Sequence, residues 1–327
     1  MTRRSVVVLL LLVLGSALAF DCPSSTGLSC DLNPNTLKYY PGLSSNTTSV
    51  TVTATGGAPP VGAVMIIQMQ GGNYNNDASN NYGDGTGQGR GWTPTTNAIE
   101  GILVGQHEFN YIQNIQNLGS NRYVLFLHMN TEHSYLHEPS GNARFQVILF
   151  PFCATLRVNA EGISTVPAWD GSIGGVLPLV SRYIQITGLS TISMTGKGFR
   201  GGLSFSGQAD WSFGRDNVYA SNDISIYGMK GEGIAGTPRL TGGSTTYQGG
   251  LDCSNGAPAN AGGGGSVQLF NYGAGGGGGG YGEGHYGDPL NWGVGVSASS
   301  GLGGVGLTSS STRLFMGMTI ITRIVTS

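Results

Sequence analysis

Ser181-Arg182-Tyr183-Ile184-Gln185-Ile186-Thr187-Gly188, followed by Thr191-Ile192-Ser193-Met194-Thr195-Gly196, is a pair of short segments that each end in glycine. Polar and apolar side chains alternate within them, the signature of a strand with one buried face. Similar segments at Thr155 to Val158 and Gly175 to Val180 extend the series upstream, at a spacing of about ten residues. That spacing suits a β-sandwich or the successive rungs of a parallel β-solenoid. The solenoid is preferred, because stacked short strands with glycine corners bury a narrow aliphatic column without long hydrophobic segments. The expected fold class is all-β: an N-terminal β unit leading into a right-handed parallel β-helix-like solenoid with glycine-rich extended loops.

Upstream, Ser49-Val50-Thr51-Val52-Thr53 alternates and Val64-Met65-Ile66-Ile67 is a short continuous apolar run, so both read as strands, as do Tyr123 to Leu127 and Arg144 to Phe150. Residues 20–47 show no periodicity. Residues 71–91, GGNYNNDASNNYGDGTGQGRG, offer almost nothing to bury and read as a long surface loop. Within that loop, GDGTGQGRG has neither the Lys-Ser/Thr end of a phosphate loop nor regularly spaced aspartates for calcium. After Lys230 the chain runs into tracts of four and six consecutive glycines. They read either as flexible linkers or as extended strands packed closely where only glycine fits, with aromatics on their edges. The expected organisation is a signal peptide (1–19), a disulfide-tied leader and N-terminal β unit (20–150), a solenoid-like segment (151–230) and a glycine-rich segment (231–327).

Glycine accounts for 58 of 327 residues and charged residues for 10%, against usual shares of about 7% and about 25%. A charge-poor chain rich in Thr, Val, Ile and Gly is neither an ordinary helical enzyme nor a charged disordered tail. Arg3 and Arg4, the apolar run from Val6 to Leu14 and Ala17-Leu18-Ala19 before Phe20 have the layout of a secretory signal peptide. The run is roughly half the ~20 residues that span a bilayer, and no later segment is long and apolar enough to do so. Cleavage leaves 13 of the 15 basic residues against 17 acidic ones, a net charge of about −4. No basic patch for nucleic acid is visible.

Cleavage also leaves Cys22, Cys30, Cys153 and Cys253. In a secreted chain these are expected to form two disulfides, with three connectivities possible. The closeness of Cys22 and Cys30 favours a small loop between them, which leaves Cys153 for Cys253. Asn46-Thr47-Thr48 is an N-glycosylation sequon in a eukaryotic host.

Several blocks are long and distinctive: Val64 to Gly71, Pro167-Ala168-Trp169-Asp170-Gly171 with Gly174-Gly175-Val176-Leu177, Gly196-Lys197-Gly198-Phe199-Arg200-Gly201-Gly202, Lys230 to Arg239, and APANAGGGG at 257–265. Over residues 60–317 the chain resembles a large family of secreted glycine-rich proteins found chiefly in bacteria, commonly with surface-anchoring or sorting tails. The resemblance implies an adhesive or structural role and no particular reaction. One departure stands out: in similar proteins a segment like Arg313-Leu314-Phe315-Met316-Gly317 leads into another glycine-rich block, whereas here residues 318–327 turn aliphatic, as expected of a truncated or frame-shifted end.

Three sets of residues are candidates for chemistry. His128, His133 and His137, with Glu132 and Glu138 in the same stretch, have the donor types of a zinc or copper site. Their spacing matches no metal motif, however, and a solvated hairpin accounts for them as well. Asp170, Asp210, Asp216 and Asp223, with Lys197 and Arg200, are the residues that polysaccharide cleavage on a β-helix would need, as paired carboxylates or as a base beside a cation. The competing reading makes Asp170 a turn-former and Arg200 a structural partner. Tyr82, Trp92, Tyr281 and Trp292, with Tyr74, Tyr272 and Tyr286, place flat rings in glycine- and asparagine-rich stretches, suited to stacking on sugars or to covering the edges of the fold.

The expectation is a secreted, non-catalytic structural or adhesive protein at the cell surface or beyond it. It would have no cofactor, and its partners would be extracellular matrix or cell-surface glycans or proteins. The alternative is a carbohydrate-active enzyme, a lyase or hydrolase, on a β-helix.

Overall fold

The computed structural model of the chain describes residues 29–32, 36–71, 104–138, 143–158, 166–187, 194–202, 230–234, 236, 261–262, 267–268 and 271–272. Among them none is helical. The strands are β1 (Ser29–Leu32), β2 (Lys38–Ser45), β3 (Ser49–Thr53), β4 (Gly62–Gln70), β5 (His107–Gly119), β6 (Arg122–Leu127), β7 (Arg144–Leu149), β8 (Cys153–Val158), β9 (Ser181–Ile186), β10 (Val267–Gln268) and β11 (Asn271–Tyr272).

Six of these close into an antiparallel barrel in the order β2-β3-β6-β5-β4-β7, with β7 returning to pair with β2. Closure leaves no strand edge open within that sheet. The interior follows from the two-residue period. Tyr40 of β2, Val50 and Val52 of β3, Val64 and Ile66 of β4, Leu125 of β6, and Phe145 and Val147 of β7 form one buried cluster. Gly42, two residues after Tyr40, faces inward beneath the Phe145 ring, where an added Cβ would overlap the ring atoms.

A second cluster lies outside the barrel on the β4–β7 wall. Met65, Ile67, Met69 and Ile148 point outward and are covered by Leu32 of β1, Leu156 and Val158 of β8, Ile184 of β9, and Val166, Trp169, Val176, Leu177 and Leu179 from the segment before β9. This wall is therefore buried on both faces, which is why β4 reads as a continuous apolar run rather than an alternating one. A disulfide joins Cys30 of β1 to Cys153 of β8 across 123 residues.

The structure corrects the expected solenoid. β9 is the edge of one three-stranded parallel sheet, β1-β8-β9, and among the described residues no further rung stacks on it. Gly175 to Val180 is not a strand, and Met194 and Thr195 from the expected next rung are not in strand conformation. Residues 188–193 lie outside the described set. The physical reason is that the barrel wall supplies the apolar surface that a solenoid would obtain from its own next coil. The expected cysteine pairing is corrected too: Cys30 bonds Cys153 rather than Cys22, so Cys153 cannot pair with Cys253. Cys22 and Cys253 lie outside the described residues.

β1, β2, β5 and the short β10 and β11 escaped the sequence reading. β2 carries Pro41 and Gly42, and the outer half of β5 is polar, Gln113-Asn114-Ile115-Gln116-Asn117, so neither shows a sustained apolar face. The expected signal peptide (1–19), most of the expected 71–91 loop and most of the glycine-rich segment also lie outside the described residues.

Two outcomes test this architecture. The Cys30→Ser/Cys153→Ser double variant is expected to lose about 2–4 kcal/mol in chemical denaturation, since the cross-link closes a long loop in the unfolded chain. Gly42→Ala is expected to cost about 1–3 kcal/mol by overpacking against Phe145, read as a lower denaturation midpoint with an unchanged slope.

Candidate functional site

The blocks at 167–177, 196–202 and 230–236 meet on the outer wall of the barrel. Gln146 of β7 anchors the first: its Nε2 donates to the Gly174 carbonyl at 3.0 Å and its Oε1 accepts from the Gly174 N–H at 2.9 Å. Gly174 has φ 102°, and a side chain there would run into the Ala168 and Pro167 carbonyls. The Trp169 N–H donates to the Lys197 carbonyl, and the Trp169 ring sits edge-on to Phe199 at 5.8 Å, tying the first block to the second. Asp170 closes its own turn, with Oδ1 accepting from Ser172 N at 2.8 Å and Ile173 N at 2.9 Å.

The third block attaches through Glu232. Its side chain is 1% exposed, and its carboxylate accepts from Arg200 Nε at 2.9 Å, Arg200 Nη2 at 3.2 Å and Arg200 N at 3.2 Å. Gln70 Nε2 at the end of β4 donates to Glu232 Oε1 and to the Gly233 carbonyl. The Gly71 N–H reaches the Ile234 carbonyl, and Gly231 N–H the Gly262 carbonyl. Asp170 and Arg200 are thus occupied by internal contacts, and Lys197 contributes its backbone to the same assembly. Asp210, Asp216 and Asp223 lie outside the described residues.

A second polar centre closes the barrel mouth. β6 and β7 are not neighbours in the barrel, so the chain between them must cross its end. Residues 128–138 make that crossing as a strap held by inward-facing polar side chains. Asn110 of β5 donates from Nδ2 to the Met129 carbonyl at 2.9 Å and accepts at Oδ1 from Met129 N at 3.2 Å. Gln68 of β4 donates from Nε2 to the Leu136 carbonyl at 2.9 Å and accepts at Oε1 from Leu136 N at 2.8 Å. The Ser45 hydroxyl exchanges hydrogen bonds with the backbone of Tyr135. Glu108 Oε2 accepts from Glu132 N at 3.0 Å.

Beneath the strap, Tyr135 is 3% exposed and its ring lies 5.6 Å from that of Phe145. Its hydroxyl and Glu108 Oε1 are buried without a hydrogen-bond partner, as is Gln106 Oε1, two residues before Glu108. The Tyr135 hydroxyl and the Glu108 carboxyl influence each other's titration but do not reach full hydrogen-bond geometry. Burial raises Glu108 above the ordinary carboxylate range, against the lowering effect of the Glu132 N–H, Tyr135 and His133. Burial likewise raises the Tyr135 phenol, with the Glu108 charge adding to it. His107 is held below its ordinary value by burial, with His133 adding to the effect, and His137 by burial and by Arg144.

The three candidate histidines fall on this strap but do not converge. His128 is exposed and His133 and His137 are half-buried; among the described residues no three His, Cys, Asp or Glu side chains are placed to share a metal ion. Asn46 is exposed in the β2–β3 turn, its Oδ1 accepting from the Thr48 and Ser49 N–H groups at 2.8 Å each. Tyr82, Trp92, Tyr281 and Trp292 lie outside the described residues, as does Tyr74.

Sequence reasoning missed Glu108, Tyr135, Gln68, Gln70, Gln146 and Glu232. A signal existed for some of them. Gln68 and Gln70 are polar residues inside the most apolar strand, Gln146 interrupts another, and Gln106, Glu108 and Asn110 recur with period two ahead of Ile112. The chain matches no protein-family model, no curated protein and no solved structure.

Glu232→Ala is expected to destabilise the fold by about 2–3 kcal/mol, because it leaves the Arg200 guanidinium without its carboxylate and removes one of the acceptors of Gln70. The value falls below the ~3–5 kcal/mol usual for a broken buried pair because Arg200 is one-third exposed. Thermal denaturation of the variant beside Arg200→Ala checks it, the double variant losing less than the sum of the two.

Proposed function

We propose that the chain is a secreted, non-catalytic structural or adhesive protein, a disulfide-braced barrel that presents glycine-rich segments to glycans or proteins of an extracellular layer. The observation that carries this reading is the Cys30–Cys153 disulfide, which ties the parallel sheet together. Such a bond persists in oxidising compartments and is rare in the cytosol. The tripartite N-terminus and the low charge support the same location. The resemblance of the 167–177, 196–202 and 230–239 blocks to secreted glycine-rich proteins supports a surface role.

The candidate catalytic groups favour binding over cleavage. Asp170 accepts two backbone N–H groups in its own turn, and Arg200 is held by Glu232. Each therefore has a structural role of its own, and Arg200 is already paired with a carboxylate rather than facing an open one. The distinctive blocks read on this view as packing devices: Trp169, Gly174 and Glu232 bring three chain segments onto one barrel wall, from which the glycine-rich chain continues.

The test is co-sedimentation of the chain from Phe20 onward with insoluble cell-wall and matrix polysaccharides, with the supernatant assayed for released sugar ends. Retention without release is expected, unchanged in Asp170→Asn, whose side-chain oxygen still accepts the turn hydrogen bonds. Release that Asp170→Asn or Asp210→Asn abolishes would make the chain a carbohydrate-active enzyme and overturn the proposal.

A further inference from the structure

We propose that Glu108 is a proton-operated latch, which keeps the strap of residues 128–138 seated across the barrel mouth while its carboxyl is neutral and loosens it when the carboxyl ionises. Three of the four buried side-chain polar atoms without partners among the described residues, Gln106 Oε1, Glu108 Oε1 and the Tyr135 hydroxyl, belong to this mouth. Register explains why. Glu108 lies opposite Ile66 in the β4–β5 ladder, and the Gln106 carbonyl accepts from the Gln68 N–H, so Gln106, just before β5, and Glu108 and Asn110 within it share one inward face. Gln68 and Asn110 are each satisfied by the strap backbone through a donor and an acceptor. Glu108 receives one N–H only, that of Glu132.

At the barrel mouth a half-buried carboxylate whose Oε1 has no hydrogen-bond partner is poorly solvated, whereas a neutral carboxyl is tolerated there. Lifting the strap hydrates the carboxylate. Ionisation therefore favours the lifted strap, and protonation the seated one. The groups facing Glu108 are few. The strap contributes the Glu132 carboxylate, which disfavours the charge, His133, which favours it when protonated, and the Tyr135 phenol. β4 contributes no ionisable residue. Arg144, at the start of β7, donates to the Glu138 and Ala143 carbonyls. His107, adjacent in sequence, lies on the opposite face of β5, edge-on to Phe109 at 6.2 Å.

The sign is fixed by linkage. The titration of Glu108 is raised in the seated state, so the stability it confers is complete below the ordinary carboxylate value and is lost as pH rises through the raised one. The opening equilibrium of the strap shifts by about tenfold for each pH unit between the seated and lifted titrations.

Native-state hydrogen exchange of the full mature chain between pH 4 and pH 8, corrected for the intrinsic rate, reads this at the amides of Met129, Glu132 and Leu136. Protection of all three is expected to fall together as Glu108 ionises, while core amides such as Val50 and Val147 keep theirs. In Glu108→Gln, isosteric with the neutral form, that pH dependence should vanish and protection stay high throughout. A carbon-13 titration of the Glu108 carboxyl is expected to show a raised midpoint, higher still in Tyr135→Phe, which keeps the ring packing and removes the hydroxyl. The proposal is overturned by a Glu108 midpoint in the ordinary range, by strap protection independent of pH, or by the same pH dependence in Glu108→Gln, which would assign the effect to another group.

Discussion

The wall formed by β4 and β7 is buried on both faces, and the rest of the molecule is arranged around that constraint. Val64, Ile66 and Val147 fill the barrel, while Met65, Ile67, Met69 and Ile148, the next residues along the same strands, need a cover outside it. Their outward side chains amount to an apolar patch whose exposure to water would cost free energy. The parallel sheet and the Trp169 segment supply the cover, with the disulfide binding β1 to β8. Single polar side chains set within this wall fix the registration. Gln146 accepts and donates to one glycine, and Gln70 bridges to Glu232; in a buried layer each must find its partners or lose the solvation it had in the unfolded chain.

The same logic shapes the mouth. A six-stranded barrel with β6 and β7 on opposite sides must carry a connection over its end, and that connection brings backbone polar groups over an apolar interior. Inward Gln68 and Asn110 meet those groups in both directions, one as a side-chain clamp on Leu136 and the other on Met129. Glu108 stands in a similar position with a titratable carboxyl in place of an amide. The mouth is therefore the part of the barrel whose internal solvation depends on proton concentration, and the outer wall, anchored by uncharged glutamines and one ion pair, is the part that holds its partners more evenly.

Charge scarcity gives individual ionic groups weight here. With 10% charged residues, few surface networks are available, and the Arg200–Glu232 pair joins segments 32 residues apart in sequence onto one face. Groups that looked like an active site in the linear chain are consumed by this assembly. Asp170 turns its own backbone and Arg200 meets a carboxylate, because a glycine-rich loop without a hydrophobic face needs polar anchors to hold one conformation.

The sequence by itself determined the all-β class and most of the strands, since period-two alternation in Ser49–Thr53 and Arg122–Leu127 is a local property that survives without knowledge of neighbours. It also marked Val64 to Ile67 as a strand, and it held the turn-forming role of Asp170 as one of two readings. Tertiary structure alone decided what the strands become. Strand spacing is the same for a rung, a barrel stave or a sheet edge, so the closure of β7 onto β2 and the place of β9 depend on pairings between residues far apart in sequence. Cysteine pairing follows the same rule, since Cys30 is near Cys22 along the chain but bonds Cys153, which the β1–β8 ladder brings beside it. The Glu108–Tyr135 centre was hidden for that reason as well: its two residues belong to different segments and meet only where the strap crosses the mouth.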